Sequence, residues 1–344
     1  MKRRDLLTGL FAASTFALGN GLLWKHAQNI YSPRTASDPL VTGDISDSES
    51  VRALAEAESA AVQPQAPLAK PQTLTASAPA ERTAAATEAA VEVPQVRPVE
   101  AEVAATEDRI LEKVRNFEQE FADDIYLSDQ ERIVMLSVLA RMERAEAFIG
   151  HGNYNISSFD YLIKVARRFP QVGEFTPVEL DFVERIFFAD ARRYGFMGEK
   201  VISDLTAAIP DNDIFKVPYS GQFIYRGQSE QYYQKLKRDI GDSIILTSGI
   251  RSNVKQMHLF LAKAAVSNFN LSKASRSLAP PGHSFHGVGD FDVGKVGWGI
   301  ANFSDKFAQT DEFKRMQDLG YVQIRYTENN RLGVRFEPWH IKVV

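Results

Sequence analysis

Ile244-Ile-Leu-Thr-Ser-Gly-Ile-Arg-Ser-Asn253 is the stretch on which the fold turns. Ile244 to Thr247 is apolar and β-branched and reads as a buried strand. It runs into Ser248-Gly-Ile-Arg251-Ser252, and Asn253 to Ala265 then reads as a helix. Further on, Asp311 to Leu319 predicts a short helix stopped by Gly320, and Tyr321 to Tyr326 alternates in polarity as a strand does. Helices and strands that do not alternate regularly predict an α+β fold, a small antiparallel sheet with flanking helices, rather than a doubly wound sheet.

Two neighbouring segments carry the candidate chemistry, Pro281-Gly-His-Ser-Phe-His-Gly-Val-Gly-Asp-Phe-Asp292 and Phe336-Glu-Pro-Trp-His340. Between them they hold the groups that a mononuclear zinc hydrolase needs: three protein ligands, and a carboxylate off the metal to take a proton from water. His286, Asp292 and His340 fit the ligand roles and Glu337 fits the base. Asp290 and Asp292 alternate on one face of an extended chain, and only one of them is needed as a ligand, so Asp290 is the second candidate. Gly287, Gly289 and Gly294 permit tight backbone around the site. Residues three apart on a flat strand face opposite ways, and proline cannot donate to a ladder, so a strand bent at Pro338 is expected to turn Glu337 and His340 into one cleft.

These residues resemble the zinc D-Ala-D-Ala carboxypeptidases of the vancomycin-resistance type, with their D,D-dipeptidase and L,D-carboxypeptidase relatives. Ser284-Phe-His286-Gly-Val-Gly289 with Asp292 is similar to the family's Ser-x-His-x-x-Gly-x-Ala-x-Asp, shortened by one residue. Glu337-Pro-Trp-His340 is similar to its Glu-x-Trp-His. Ser248-Gly-Ile-Arg251-Ser252 with Gln256 resembles its Ser-Gly-Tyr-Arg-Ser segment. Asp292-Val293 also fits the Asp-Ile that ends the family's first motif. A register begun at His283 would restore the spacing to Asp290 but loses the serine and glycine matches. The likeness is strong from Ser248 to Val344.

The resemblance implies a Zn²⁺ cofactor, peptidoglycan stem peptides as substrate and release of the terminal D-alanine. It makes Glu337 the general base that returns its proton to the leaving amine, and Arg251 the group that faces the substrate. Ser284 and Gln256 would orient the peptide. Related sites serve L,D-carboxypeptidases and crosslink endopeptidases as well. A non-catalytic cell-wall binding protein of the same fold is the reading from another class, and Glu337 speaks against it, because a binding module has no need of a base. Trp339 is expected to pack beside the site, and His283 to be an outer neighbour or to face substrate. His26, His151 and His258 receive no role.

The start of the chain bears on where this chemistry takes place. Met1-Lys-Arg-Arg-Asp-Leu-Leu is basic, and Leu6 to Trp24 is apolar, so residues 1–31 read as an export signal or an N-terminal membrane anchor. The paired Arg3 and Arg4 resemble a twin-arginine signal, which would deliver an already folded protein to the periplasm. Residues 32–105 are rich in alanine, proline and glutamate and cannot repay their ordering entropy by burial, so they are expected to form a disordered tether.

Residues 106–210 read as a helical region ahead of a catalytic domain at 211–344. Ser128-Asp-Gln-Glu131 and Thr176-Pro-Val-Glu179 are capping boxes. Behind them Ile133, Leu136, Leu139 and Met142, then Leu180, Val183 and Phe187, recur at helical spacing, and Phe182, Phe187 and Phe188 are expected in the core. A net charge of −4 without a basic, aromatic-laced patch excludes a nucleic-acid partner. The absence of cysteine excludes disulfides and thiolate chemistry.

Overall fold

A computed structural model describes residues 99–321 and 323–344. The export signal or anchor of residues 1–31 lies outside the described residues, as does the tether up to residue 98. Helix α1 (Val99–Arg115) opens within the last stretch assigned to that tether. The described residues from Ala104 to Val344 belong to one compact unit, and Pro39–Val103 to a second of which only the start of α1 is described. Among the described residues no helix is long and apolar enough to cross a membrane.

Four helices follow α1: α2 (Asp129–Ile149), α3 (His151–Tyr154), α4 (Phe159–Arg168) and α5 (Pro177–Phe188). Both capping boxes form. Ser128 and Thr176 each accept from the backbone of the glutamate three residues on, and each glutamate reaches back to the cap amide. The buried face of α2 includes Met135, Val138, Leu139 and Met142, so Leu139 and Met142 of the expected stripe are buried, and Leu136 packs half-buried on the same core. Ile133 is exposed, and Phe188 is likewise exposed while Phe182 and Phe187 are buried. In each case a neighbouring residue satisfied the same helical spacing, and packing selected between the two.

The rest of the chain supplies β1 (Ile214–Lys216), β2 (Phe223–Tyr225), α6 (Gln228–Ile240), β3 (Ile244–Ser248), α7 (Asn253–Val266), α8 (Leu271–Ser275), β4 (Phe291–Lys295), α9 (Asp311–Asp318) and β5 (His340–Ile341). Strands β1 and β2 pair antiparallel, and β3, β4 and β5 form a second antiparallel sheet with β4 in the centre. The fold is therefore α+β, with small antiparallel sheets among helices. The second sheet buries Leu246, Phe291, Val293 and Ile341 against Leu236 of α6 and Met316 of α9. Tyr321 to Tyr326 does not form the expected strand. Its backbone groups are shared out: Lys342 donates to Gln323, Ile324 bridges to Ile341, and Glu337 donates to Tyr326.

The helices of the N-terminal half share one core with α7 and α8. Met142, Tyr154 and Leu162 pack with Val254, Met257, Phe260 and Leu271. Two buried ion pairs cross the same boundary. Lys255 Nζ on α7 lies 2.6 Å from Glu146 of α2, and Arg276 Nη1, just after α8, lies 2.8 Å from Asp124. His258 and His151 also approach Glu146, at 3.1 and 2.9 Å.

Burial opposes ionisation of Glu146, but His151, His258 and Lys255 outweigh it and hold the carboxyl well below its ordinary 4.5. A depressed carboxylate stabilises the fold above its unfolded pKa and loses that contribution as pH falls. Glu146→Ala, which leaves Lys255 buried and unpaired, is expected to cost about 3–5 kcal/mol at pH 7. Urea denaturation checks this, and the gap between wild type and variant should narrow as pH drops below about 4.5.

Candidate metal centre

The site is built on the central strand. Asp292 of β4 stands opposite Ser248 of β3 on one side and opposite His340 of β5 on the other. A register shift between Leu246 and Ser248 marks a bulge on β3 beside it. His286 comes from the 3₁₀ turn Phe285–Gly287, shortly before β4 begins at Phe291. Gly287 lies tight in this turn, since an added Cβ would stand 2.5 Å from Ile202 Cδ1.

Hydrogen bonds place a proton on Nδ1 of His286 and on Nε2 of His340. His286 Nδ1 donates to the Gly249 carbonyl at 2.8 Å, which leaves Nε2 a bare lone pair 3.1 Å from Asp292 Oδ1. His340 Nε2 donates to Asp290 Oδ2 at 3.0 Å, which turns Nδ1 toward the same Asp292 oxygen, 3.3 Å away. One ligand atom from each of His286, Asp292 and His340 lies within 4.8 Å of the others, and all three residues are buried. His286 Nε2 and Asp292 Oδ1 are buried without a hydrogen-bond partner among the described residues. A buried polar atom left so costs about 1–3 kcal/mol, and facing lone pairs repel unless a cation lies among them.

Two ligands each about 2.0–2.1 Å from a tetrahedral ion are about 3.4 Å apart, close to the two separations seen here. Two imidazoles and one carboxylate are also a donor set suited to zinc. The residues therefore fit the metal. Burial and the nearby Arg251 lower His286 to about 4, which keeps it a neutral donor at pH 7. Burial pulls His340 down, but Asp290 and Asp292 outweigh it and raise the ring to about 9. Asp292 is opposed by burial yet held far below the usual carboxylate range by His286 and Arg251.

Glu337 and His340 are brought to one side by a turn rather than by a bent strand. His340 N donates to the Glu337 carbonyl at 3.1 Å, with Pro338 and Trp339 between them, and proline suits the second position of such a turn. The Glu337 carboxylate ends 3.7 Å from His340 Nδ1. Burial first, then Asp292, raises its pKa to about 7 against the pull of Arg335 and His340. Arg251 donates from Nε to Ser248 Oγ at 2.9 Å and from Nη2 to Asp292 Oδ2 at 2.5 Å.

Ser284 is buried and opens the 3₁₀ turn that carries His286. Gln256 is buried on α7, where its Nε2 donates to the Ala279 carbonyl at 2.6 Å, and no contact among the described residues joins it to the two histidines. Trp339 is buried with its ring edge-on to Phe303. His283 faces away from the cluster, bonded to the Glu199 carbonyl at 2.9 Å and packed on Phe196.

Residues 226–344 match the family model VanY, D-alanyl-D-alanine carboxypeptidase. The segment is thus similar to a family of zinc-dependent hydrolases that act on peptidoglycan peptides. No curated protein matches the chain. Among solved structures it is similar to a mutant vancomycin-resistance D,D-pentapeptidase VanY from a VanB-type cassette in complex with Zn(II), at 24% identity and a TM-score of 0.31, over 40% of this chain and 82% of that one. It is also similar to VanYB in complex with D-alanine-D-alanine, at 21% identity and a TM-score of 0.32, over 44% and 86% of the two chains.

Several residues that shape the site carry no motif of their own. Tyr326 is buried edge-on to His340, with ring centroids 5.0 Å apart, and its carbonyl accepts from Glu337 N. Arg325 pairs with Asp290. The Gly249 carbonyl that orients His286 had one signal, the glycine inside the arginine motif. An added Cβ at Gly249 would stand 1.9 Å from the Phe223 carbonyl oxygen, so only glycine lets β2 and this turn meet. Gly249→Ala is expected to cost about 1–3 kcal/mol and to misalign His286. Thermal unfolding together with zinc content per mole of protein checks both effects.

Proposed function

We propose that the chain is a zinc-dependent D-alanyl-D-alanine carboxypeptidase that trims peptidoglycan stem peptides, with His286, Asp292 and His340 holding the metal. The observation that carries this reading is the buried convergence of one ligand atom from each of His286, Asp292 and His340 beside Glu337, in a segment matching the VanY family model. Zinc, when bound, supplies a Lewis acid and brings the pKa of its water to about 7.

Glu337 takes a proton from the attacking water and delivers it to the leaving amine as the new C–O bond forms and the peptide C–N bond breaks. A pKa raised to about 7 suits both halves of that transfer. Arg251 braces Asp292 through Nη2 and Ser248 through Nε, and its Nη1 is the atom assigned to the substrate carboxylate or scissile carbonyl. Ser284 orients the peptide beside His286. Gln256 acts on the same loop through its bond to Ala279.

The basic, apolar opening of the sequence supports export to the periplasm, by the twin-arginine route or with the segment retained as an anchor in the inner membrane. The tether expected over residues 32–105 would then let the catalytic unit reach the cell-wall mesh.

Mass spectrometry of pentapeptide and tetrapeptide muropeptides tests the reaction. The full chain is expected to remove one terminal alanine from the pentapeptide, to stop with a chelator and to recover with zinc. Glu337→Ala should keep its zinc and lose about 10²–10⁴-fold in rate. Loss of alanine from the tetrapeptide alone would make the enzyme an L,D-carboxypeptidase. No change in either substrate by a zinc-loaded, folded protein would count against carboxypeptidase activity altogether.

A further inference from the structure

We propose that Asp290 is a positioning residue for the metal centre: its carboxylate accepts the Nε2–H of His340 and so holds the ring in the tautomer and orientation that present Nδ1 to the metal. The inference rests on the metal-binding role proposed above for His340. Its basis is the pair of contacts on opposite edges of one ring, Nε2 at 3.0 Å from Asp290 Oδ2 and Nδ1 at 3.3 Å from Asp292 Oδ1. Asp290 and Asp292 are two apart on extended chain and share a face, so together they grip the imidazole that stands across the sheet from Asp292. The ring is also boxed in by edge-on neighbours, His286 at 4.7 Å and Tyr326 at 5.0 Å between centroids. Inside that box a half-turn of the ring would replace Nδ1 by a carbon, and the carboxylate beside Nε2 decides between the two poses.

Asp290 is itself held rigidly. Oδ2 accepts from Arg325 Nε at 2.6 Å as well as from His340, and Oδ1 accepts from the amides of Val343 at 2.8 Å and Val344 at 3.3 Å and from Arg325 Nη2 at 3.4 Å. Arg325 stacks on the Phe285 ring with 3.3 Å from its guanidinium carbon to the centroid, and it also donates to the Val344 carbonyl. Five donors on two oxygens leave Asp290 no lone pair for a metal, which separates its role from that of Asp292. His286 has only a neutral backbone carbonyl behind it. The charged acceptor behind His340 gives the stronger bond and the more basic ligand.

The test is zinc affinity of the full-length protein, measured by competition with a chromophoric chelator for the wild type, Asp290→Asn, Asp290→Ala and His340→Ala, with circular dichroism to show that each is folded. Asp290→Ala is expected to bind zinc about 10- to 100-fold more weakly than the wild type, the range for loss of a partner behind a metal-bound histidine. Asp290→Asn keeps the volume but loses the charge and should also bind more weakly. Nitrogen-15 spectra of histidine-labelled, zinc-loaded wild type give a readout that needs no variant, and they should show the His340 proton on Nε2. A folded Asp290→Ala that binds zinc within twofold of the wild type would overturn the proposal, as would a His340 proton found on Nδ1. Undiminished affinity in His340→Ala would instead remove the metal-ligand role of His340, and the positioning role with it.

Discussion

Three potential ligand atoms, His286 Nε2, Asp292 Oδ1 and His340 Nδ1, meet in a buried space, where the first two have no hydrogen-bond partner among the described residues, and this is the constraint around which the C-terminal half is organised. Such an arrangement survives only if each group is held from behind and a cation can enter in front. Each is held from behind. The Gly249 carbonyl secures His286, the Arg251 guanidinium secures Asp292, and the Asp290 carboxylate stands behind His340. The central position of β4 makes this possible, because one residue on it has neighbours from a strand on either side.

The site also separates two kinds of carboxylate by environment. Asp292 and Asp290 lie among imidazoles and guanidinium groups and stay ionised far below the usual range. Glu337 is also buried, but Arg335 at 3.9 Å and His340 at 3.7 Å only approach it, and Arg335 also packs on the rings of Phe117 and Trp339, so burial dominates. Acids of one chemical class thus divide into charged anchors and a group that exchanges a proton near neutrality.

The N-terminal helices contribute rigidity to this arrangement. Helix α7 begins two residues after Arg251, and it packs on α2 and α4. The Glu146–Lys255 and Asp124–Arg276 pairs pin α7 and the end of α8 from the same side. A guanidinium that must stay within hydrogen-bond reach of Asp292 thus leads directly into a helix that is buried along most of its length.

The residue types and their order were enough to indicate the α+β class, the capped helices and the groups His286, Asp292, His340 and Glu337, because metal ligation and general-base chemistry admit few side chains and helix caps have local signatures. Local spacing could not choose which apolar residues of α2 turn inward, since Ile133 and Met135 both fit a helical period and only the packing partners differ. Nor could it show that Glu337 and His340 share a side through a turn, that the described residues of Tyr321 to Tyr326 share out their hydrogen bonds among separate segments, or that Asp290 faces an imidazole. Those outcomes depend on contacts between residues distant in the chain, such as Asp290 with His340 and Lys255 with Glu146. The sequence by itself determined which groups are present and what chemistry they are capable of. Their orientation was decided only by the tertiary structure, because tautomers, burial and pKa values are set by neighbours that the fold alone brings together.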